Sequence, residues 1–382
     1  MSTVVVGGGI VGLASAYYLA DAGESVILLE KGSLGTQSTG RSAGGIRQQF
    51  STPVNVDLST ASVAVWERFE ERFGVDIAFR RTGYLFLARS PETAATFEAN
   101  VAMQRDRGVD AALLGPEAAT AHCPGLDPTA FLAATYHAGD GFADPNLAVQ
   151  GYAGAAKAAG VDVRTNTPVV DVLTEGDAVV GVRTPDGRVE ADAVVDAAGA
   201  WARDLAAMAG VEVPISPRRR QALTVEPESP VPEAHPLTID LDTGSYFRPE
   251  RAGAAIVGGH FGSDDPAVDP DAFDATYDVD WALEALERAG AVASYFGPET
   301  RVRDGWAGLY AVTPDHHPII DEVRPGFVVA AGFSGHGFQH APATGQVVTE
   351  LVLEGRASTV DVEALRLDRF ASGETAVERN VA

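Results

Sequence analysis

The sequence predicts an α/β fold in two parts: a sheet flanked by helices and built from separated stretches of chain, with a β-rich part interleaved between them. Three observations favour it. A strand of β-branched residues, a glycine-rich turn and an Ala-rich helix open the chain at residues 4–20. Further buried strands that return to the same sheet follow at 193–199 and 326–332. Between these stretches, residues 213–262 have the pattern of successive strands.

The opening turn has the spacing GxGxxG, at Gly7, Gly9 and Gly12. Gly7 allows a tight turn out of the strand, Gly9 lets the backbone approach a pyrophosphate, and Gly12 lets the helix pack close to the strand. The N-terminus of that helix offers free N–H groups to phosphates. Glu30 ends the next strand, where a carboxylate can accept both hydroxyls of an adenosine ribose. The pattern predicts a Rossmann-like dinucleotide site; the motif alone leaves NAD and FAD open.

Composition excludes several classes of function. The chain of 382 residues is 46% hydrophobic, which is typical of a globular protein with a large core. Lys and Arg total 28 against 53 Asp and Glu, and the net charge of −25 disfavours binding to nucleic acid or anionic lipid. Only Lys31 and Lys157 are lysines, and this acidic, lysine-poor composition predicts adaptation to concentrated salt (a halophilic protein).

The sequence lacks the patterns of membrane spans, signal peptides, disulfides and metal sites. No apolar run approaches the roughly 20 residues that span a bilayer, and no signal-peptide pattern precedes the first strand, so we expect a cytoplasmic protein. The one cysteine, Cys123, excludes disulfides within the chain, a four-cysteine cluster and a cysteine-rich zinc site, and we expect it to be buried. His316 and His317 lack ligand spacing, so we expect no metal site.

The periodicity predicts the remaining elements and their grouping. Helices are expected at 55–73, 91–107, 146–159, 279–296 and 343–353, a meander at 169–191 with a Pro185–Gly187 turn, and an irregular stretch at 108–140. We predict a first, nucleotide-binding domain from 1–75, 142–212 and 302–382, and a second, substrate-binding domain from 76–141 and 213–301. No second GxGxxG follows a strand, which argues against a flavin reductase with two nucleotide sites.

Two glycine-rich segments are further candidates for ligand contact. Residues 32–47 form a long loop of small residues with Arg41 and Arg47, which could lie flat against a ligand or be a flexible surface loop. The turn 333–339 leads into a helix, and its glycines and Ser334 are typical of a helix N-terminus that meets an anion or a polar ring edge.

Five motifs in order resemble those of the D-amino-acid oxidase superfamily of FAD-dependent oxidoreductases, in its sarcosine oxidase, dimethylglycine dehydrogenase and glycine oxidase branch. The resemblance spans nearly the whole chain, and the motifs lie at 6–12, 40–47, 197–201, 310–315 and 332–338. It implies an FAD-binding Rossmann-like domain of the glutathione-reductase type, with an interleaved β-rich substrate domain.

The resemblance also implies which residues meet FAD: pyrophosphate at the first glycines, ribose at Glu30, adenine at the Val169 backbone, and the flavin pyrimidine edge at residues 335–338. A helix N-terminus there would stabilise the negative charge that develops on a reduced flavin. The implied cofactor residues are Gly7, Gly9, Ile10, Val11, Gly12, Glu30, Lys31, Ser38, Arg41, Ser42, Ala43, Gly44, Gly45, Val169, Ala198, Gly199, Trp201, Gly332, Ser334, Gly335, His336, Gly337 and Phe338.

Four residues are implied at the reacting centre. Arg47 matches the arginine that binds the substrate carboxylate in sarcosine oxidases, although a structural ion pair is an alternative. His260 matches an active-site histidine that keeps the substrate amine neutral, with a core histidine as an equal alternative. Tyr310 is a candidate for lining the cavity, and Gln339 replaces a substrate-binding lysine.

Three departures from sarcosine oxidases refine these expectations. Gly308 stands near the position of the cysteine that tethers flavin, and the N-terminal loop lacks the tethering histidine of dimethylglycine dehydrogenases, so we expect non-covalent FAD. An apolar position near Ile256 replaces the lysine that promotes reaction with oxygen, which favours a dehydrogenase over an oxidase. Gln339 in place of lysine indicates a substrate other than sarcosine.

The predicted function is oxidation of the C–N bond of a small amino acid or secondary or N-methylated amine, by hydride transfer to flavin N5. Alternatives are a 2-hydroxy-acid or glycerol-phosphate dehydrogenase on the same fold, and a flavin-binding subunit of a hetero-oligomeric dehydrogenase. The expected partners are a small amine or amino-acid substrate and an electron acceptor: a quinone, an electron-transfer flavoprotein, a partner subunit or oxygen. Nucleic acid and membrane-spanning segments are not expected.

Overall fold

A computed structural model describes residues 1–262, 264–373 and 376–381. The strands in these residues are β1 (Ser2–Val6), β2 (Ser25–Leu29), β3 (Gly45–Ile46), β4 (Tyr84–Ala88), β5 (Ala112–Leu114), β6 (Ala133–His137), β7 (Gly141–Phe142), β8 (Asp162–Arg164), β9 (Asp171–Glu175), β10 (Ala178–Thr184), β11 (Gly187–Glu190), β12 (Ala193–Asp196), β13 (Ser216–Glu226), β14 (Leu237–Asp240), β15 (Ser245–Pro249), β16 (Ala255–Gly259), β17 (Arg301–Val312), β18 (Ile319–Arg324) and β19 (Phe327–Ala331). The α-helices are α1 (Ile10–Asp21), α2 (Pro53–Trp66), α3 (Phe69–Phe73), α4 (Pro91–Asp106), α5 (Pro116–Ala119), α6 (Pro145–Ala158), α7 (Ala202–Met208), α8 (Val279–Val292), α9 (Gly337–Glu354) and α10 (Arg369–Ser372).

The glycine-rich opening lies at the centre of a six-stranded sheet with the order β18-β19-β12-β1-β2-β8. β1 pairs in parallel with β2 on one side and with β12 on the other. Successive side chains of a strand point to opposite faces of its sheet. Val5 accordingly packs with residues of α1, α6 and α9, and Val4 packs on the other face with residues of α7. The predicted α/β arrangement is therefore present, with apolar cores on both faces of the sheet.

An antiparallel meander of β9, β10 and β11 adds to the second of these cores. Thr184 of β10 pairs with Gly187 of β11, which leaves Pro185 and Asp186 as a two-residue turn. The hairpin predicted from the Pro-Asp-Gly turn is thus confirmed.

The second large sheet has eight strands in the order β17-β13-β16-β15-β14-β4-β6-β5. Its longest strand pair, β13 and β17, runs from Ser216 opposite Val312 to Glu226 opposite Arg301. The sequence interpretation grouped residues 302–312 with the first domain, but here they are an edge strand of the second sheet. Residues 301–312 pair with β13 along its whole length, and this pairing assigns them to the second sheet although they precede the last strands of the first sheet in the chain. The division into two domains itself stays a prediction.

Three elements differ from their predicted forms. The helix expected at 55–73 is interrupted after Trp66, whose ring stacks on Phe69 at 5.3 Å while its indole N–H donates to the Gln339 carbonyl. The stretch expected to be irregular at 108–140 contains β6, which pairs with β4 and so depends on a partner distant in sequence. Helix α9 begins at Gly337, six residues before its predicted start, and includes Pro342, which cannot donate a hydrogen bond to the Phe338 carbonyl.

Cys123 is completely buried beneath the eight-stranded sheet, in a core that also includes residues of α8, as predicted. No helix in the described residues is both long and apolar enough to cross a membrane.

Candidate cofactor and substrate site

A cavity of about 530 Å³ extends from the end of β2 to the N-terminus of α9. Most of the residues implied for FAD line it. These are Gly7, Gly9, Ile10, Val11, Glu30, Lys31, Ser38, Arg41, Ser42, Ala43, Val169, Ala198, Gly199, Trp201, Gly332, Ser334, Gly335, Gly337 and Phe338. The fold therefore brings segments from both ends and the middle of the chain to one cavity.

The glycine turn between β1 and α1 is shaped as a phosphate cradle. Gly7 has φ +113°, and a Cβ there would lie 2.4 Å from the Ala197 carbonyl oxygen. Gly12 does not line the cavity; a Cβ on it would lie 1.9 Å from the Gly7 carbonyl oxygen, so only glycine lets α1 approach the turn. Gly9 is the N-cap and provides no side-chain hydrogen bond to the helix. The first turn of α1 thus offers its N–H groups and its dipole to an anion.

Glu30 is fixed in position at the end of β2. One carboxylate oxygen accepts from the Gly8 N–H and the other from the Gly32 N–H, each at 2.7 Å. A carboxylate oxygen can accept more than one hydrogen bond, so both stay available to hydroxyl donors in the cavity. This geometry suits the ribose contact that the sequence predicts for Glu30.

The loop of small residues is tied down rather than flexible. The Ser38 hydroxyl donates to the Leu309 carbonyl at 2.7 Å, and the Arg41 guanidinium donates to the Ala307 carbonyl at 3.1 Å. The indole N–H of Trp306 donates in return to the Arg41 carbonyl at 2.9 Å. These bonds join the loop to β17, which forms the opposite wall of the cavity. The interpretation as a ligand-contacting loop is favoured over that of a flexible surface loop.

At the other end of the cavity, the chain turns tightly between β19 and α9. Ser334 has φ +49° and Gly335 has φ +99°. A Cβ on Gly335 would lie 2.3 Å from the Tyr310 ring, so the glycine allows that ring to pack against the turn. His336, the N-cap of α9, makes no side-chain cap bond, and the helix N-terminus is left for another acceptor.

A smaller recess of about 80 Å³ adjoins the large cavity. The two share Ser42, Ala43, Tyr246, Tyr310, Ser334, Gly335 and Phe338 as lining residues. Arg47, Gln339, His336 and Gly45 line the recess alone. Gly44 lines neither space, but it has φ +75° and lies so close to the Ala143 carbonyl that a Cβ would clash.

Arg47 is a buried cation on the wall of the recess. Its guanidinium lies 3.9 Å above the Phe50 ring and donates to the carbonyls of Gln49 and Asn380. Its backbone N–H donates to the Gln339 side-chain oxygen at 2.8 Å. Burial lowers the pKa of Arg47, although an arginine stays charged in proteins. Its remaining N–H groups make it a rigid fork for a carboxylate.

The other groups of the recess favour an anionic ligand. None of its described lining residues is acidic. Burial raises the pKa values of Tyr84, Tyr246 and Tyr310, so these phenols are neutral. Burial also lowers the pKa of His336 well below its ordinary value, and neither ring nitrogen has a hydrogen-bond partner among the described residues. Arg47 thus supplies the positive charge of a site lined by neutral groups.

His260 is not brought to this site. It follows β16 with its side chain about one third exposed, lines neither cavity, and has its Nε2 3.8 Å from Asp265. Burial lowers its pKa, as do Arg220 and Arg218 nearby. A catalytic role for His260 stays a prediction that its placement does not favour.

The sequence interpretation missed a segment that borders the large cavity. Asp271 accepts from Lys31 Nζ at 2.5 Å and from the Trp201 indole at 2.9 Å, and Lys31 lies 3.6 Å from the Trp201 ring centroid. Phe273 packs beneath the Arg41 guanidinium. Residues 264–278, here termed the strap, lead from β16 to the start of α8 and border the large cavity at Asp271. In the sequence, only the acid-rich composition of residues 264–278 distinguishes this segment from an ordinary loop.

These features together define the class of protein. The family described as FAD dependent oxidoreductase, DAO, matches residues 2–351, and the chain belongs to this family. FAD is therefore its cofactor. The cradle at Gly7 and Gly12, the fixed carboxylate of Glu30 and the open N-terminus of α9 fit the phosphates, ribose and ring edge of FAD.

Three known proteins illustrate which members of the family this chain resembles. The chain is 33% identical to FAD-dependent oxidoreductase domain-containing protein 1 of Bos taurus, over 98% of this chain and 86% of that protein. It is 29% identical to glycine oxidase of Geobacillus kaustophilus, over 98% of each. The crystal structure of L-proline dehydrogenase from P. horikoshii superposes with a TM-score of 0.89 at 35% identity, over 98% of each chain. The fold class and family expected from the sequence are confirmed.

Proposed function

We propose that this protein oxidises the C–N bond of a small amino acid or secondary amine that carries a carboxylate. The observation that supports this most directly is the buried Arg47 fork in a recess that shares seven lining residues with the FAD cavity. A ligand whose carboxylate binds Arg47 would have its neighbouring carbon at the boundary between the two spaces. The similarity to glycine oxidase and L-proline dehydrogenase agrees with this substrate class.

The residues of the recess orient the substrate and exclude water. Arg47 binds the carboxylate with two N–H groups; Phe50 packs against the plane of that fork, and Gln339 holds the Arg47 backbone. Leu237, Ile239 and the neutral Tyr246 and Tyr310 surround the rest of the molecule. When bound, FAD supplies the two-electron acceptor, and the N-terminus of α9 stabilises negative charge in its neighbourhood.

FAD is bound non-covalently in this proposal. The chain has a single cysteine, and Cys123 lies in a core under the second sheet, outside both cavities. Gly308 lines the large cavity where a tethering cysteine would stand, and it has no side chain to react.

We favour a dehydrogenase over an oxidase. Ile256 is buried in β16 and apolar, and neither lysine of the chain lies in the recess. Lys31 is paired with Asp271. The Arg47 guanidinium is assigned to the substrate carboxylate, and no lysine ammonium lies in the recess to stabilise superoxide, so fast electron transfer to oxygen is not favoured. A quinone, an electron-transfer flavoprotein or a partner subunit would then accept the electrons.

Anaerobic reduction tests the proposal. The FAD-loaded protein is mixed without oxygen with sarcosine, glycine, L-proline, D-alanine or 2-hydroxyglutarate, and the flavin absorbance is followed. Bleaching by at least one amine is expected, with slow recolouring when air is admitted. Bleaching by 2-hydroxyglutarate alone would replace the proposal with a hydroxy-acid enzyme. Rapid recolouring in air would overturn the preference for a dehydrogenase, and no bleaching by any amine would contradict the proposed reaction.

We further propose that the protein acts in a cytoplasm rich in salt. Its net charge of −25 implies strong self-repulsion at low ionic strength, which salt screens. Unfolding by heat is expected to shift to higher temperature between dilute buffer and molar KCl. A melting temperature that does not depend on KCl would contradict adaptation to salt.

A further inference from the structure

We propose that residues 376–381, here termed the wall segment, form one side of the substrate recess, and that Glu378 positions this segment and, through it, Arg47. The inference rests on the proposed function in treating the recess as the substrate site. It assigns a role in carboxylate binding to a residue that touches neither the FAD cavity nor the recess, and a role in substrate size to Val381.

The anchor of the wall segment is a completely buried carboxylate. One oxygen of Glu378 accepts from the Ser51 N–H at 2.8 Å and the Ser51 hydroxyl at 2.6 Å. The other accepts from the Thr52 hydroxyl at 2.8 Å and the Asn55 amide at 3.0 Å. These donors surround the N-terminus of α2, whose dipole also favours a negative charge. The Asn380 N–H donates a fifth hydrogen bond at 3.0 Å, so these bonds replace the water that burial removes from the carboxylate.

Because Glu378 is anchored, Asn380, two residues further along the chain, lies beside Arg47. The Asn380 carbonyl accepts from one terminal nitrogen of Arg47, and the Gln49 carbonyl accepts from the other at 2.5 Å. The Asn380 side chain donates in turn to the same Gln49 carbonyl at 3.2 Å. The guanidinium is therefore held from two segments that are far apart in sequence, with its plane against Phe50. A rigid guanidinium loses less freedom when it binds a carboxylate.

The segment also closes the recess. Val381 lines it, as do the apolar side chains Leu237 and Ile239 of β14. These three residues restrict the space for a substrate side chain, whereas Arg47 fixes the carboxylate. The wall segment thus contributes both to affinity for a carboxylate and to the limit on substrate size.

Binding of a substrate-like carboxylate tests this role. The probe is pyrrole-2-carboxylate, which has no hydrogen on the carbon bearing the carboxylate, and its Kd is read from the absorbance change of bound flavin. In Glu378→Gln, two donors would face the new amide NH2, and the Kd is expected to rise at least tenfold. The matched control is Arg379→Ala in the same segment, whose side chain is 63% exposed, with a Kd within twofold of wild type. An equal Kd in all three proteins would overturn the positioning role and leave the proposed function intact.

Hydrogen exchange tests the Glu378 anchor without a bound carboxylate. Hydrogen exchange of the FAD-loaded protein is expected to be at least tenfold faster over residues 47–52 in Glu378→Gln than in Arg379→Ala. Equal exchange in the two variants would overturn the role of Glu378 as an anchor.

The size limit is tested with Val381→Ala, which leaves the hydrogen bonds of Glu378 intact. This variant is expected to raise kcat/KM for L-pipecolate relative to L-proline at least fivefold. An unchanged ratio would overturn the size limit. If the flavin of the wild-type protein responded to no amino acid, the proposed function would be contradicted. Hydrogen exchange would still show whether Glu378 anchors the wall segment.

Discussion

The Arg47 N–H donates to the Gln339 side-chain oxygen at 2.8 Å, which joins the small-residue loop to the first turn of α9. The loop borders the FAD cavity and α9 begins at its far end, so this bond connects the cofactor site to the recess. Gln339, which stands where the resemblance implies a lysine, therefore bonds to the Arg47 backbone, and we propose that it holds Arg47 in place without supplying a charge.

Gln339→Leu should therefore weaken substrate binding without removing a charge. The substitution leaves the buried Arg47 N–H unsatisfied, which costs about 1–3 kcal/mol, and KM for a carboxylate substrate should rise about fivefold or more. Steady-state kinetics with a dye acceptor measure this. Gln346→Leu is the matched control, because Gln346 lies on the same helix and bonds to Tyr18, away from the recess. A KM equal to that of the control would remove Gln339 from this role.

Arg47→Ala should raise KM for L-proline about 10–100-fold, since a hydrogen bond to a charged group contributes about 1.5–3 kcal/mol. Arg47→Lys keeps the charge but cannot donate in parallel to a carboxylate and two backbone carbonyls, so an intermediate KM is expected. The sharper control is the substrate: pyrrolidine lacks the carboxylate, and its KM should change little in either variant. If KM rose equally for proline and pyrrolidine, Arg47 would act on the fold of the recess and not on the carboxylate.

The cofactor cradle could be predicted from the sequence because its parts are local. A strand, a turn with Gly7 and Gly9, and a helix entered at Gly12 are adjacent in the chain, and Glu30 follows the next strand. The recess could not be predicted in full, because its walls come from β14, β15, β17, α9 and the wall segment, which meet only through sheet pairing and tertiary packing. Glu378 has no motif around it, and its importance depends on donors at residues 51–55.

The second sheet also determines where His260 lies. A match of sequence position placed it at the reacting centre, but it follows the last residue of β16, and Asp265 from the strap lies beside it. Where a side chain points at the end of a strand depends on the next few residues, and these carry no periodic signal.

Asp271→Asn should accelerate release of FAD. Asp271 pairs with Lys31 and accepts from Trp201, so it joins the strap to two residues that line the cavity. The pair is exposed to solvent, so we expect a modest effect, about two- to fivefold in the dissociation rate measured by flavin fluorescence. Salt should accelerate release from the wild type more than from the variant, since screening weakens the same ion pair.

Asp264→Asn is the matched control for this strap variant, because Asp264 lies in the same segment with an exposed side chain. Equal dissociation rates for Asp271→Asn and Asp264→Asn at low salt would show that the strap does not retain FAD.

Asp196→Asn should change how stability depends on pH. Asp196 ends β12, completely buried, and one of its oxygens has no hydrogen-bond partner among the described residues. Burial raises its pKa to about 8. The folded state then keeps a proton that the unfolded state releases near its ordinary pKa of 3.8, so wild-type stability falls as pH rises between these values.

The asparagine variant has no such proton to lose. Its free energy of unfolding should gain on that of wild type as pH rises from 6.5 to 8, by about 1–2 kcal/mol. His235 and His340, whose pKa values burial lowers, take up protons on unfolding in wild type and variant alike, so their contribution cancels in this difference. Guanidinium unfolding of the FAD-free protein measures the difference, with Asp186→Asn in the exposed β10–β11 turn as control. A difference between Asp196→Asn and wild type that stays constant across the window would mean that Asp196 is ionised throughout, its charge being stabilised within the fold.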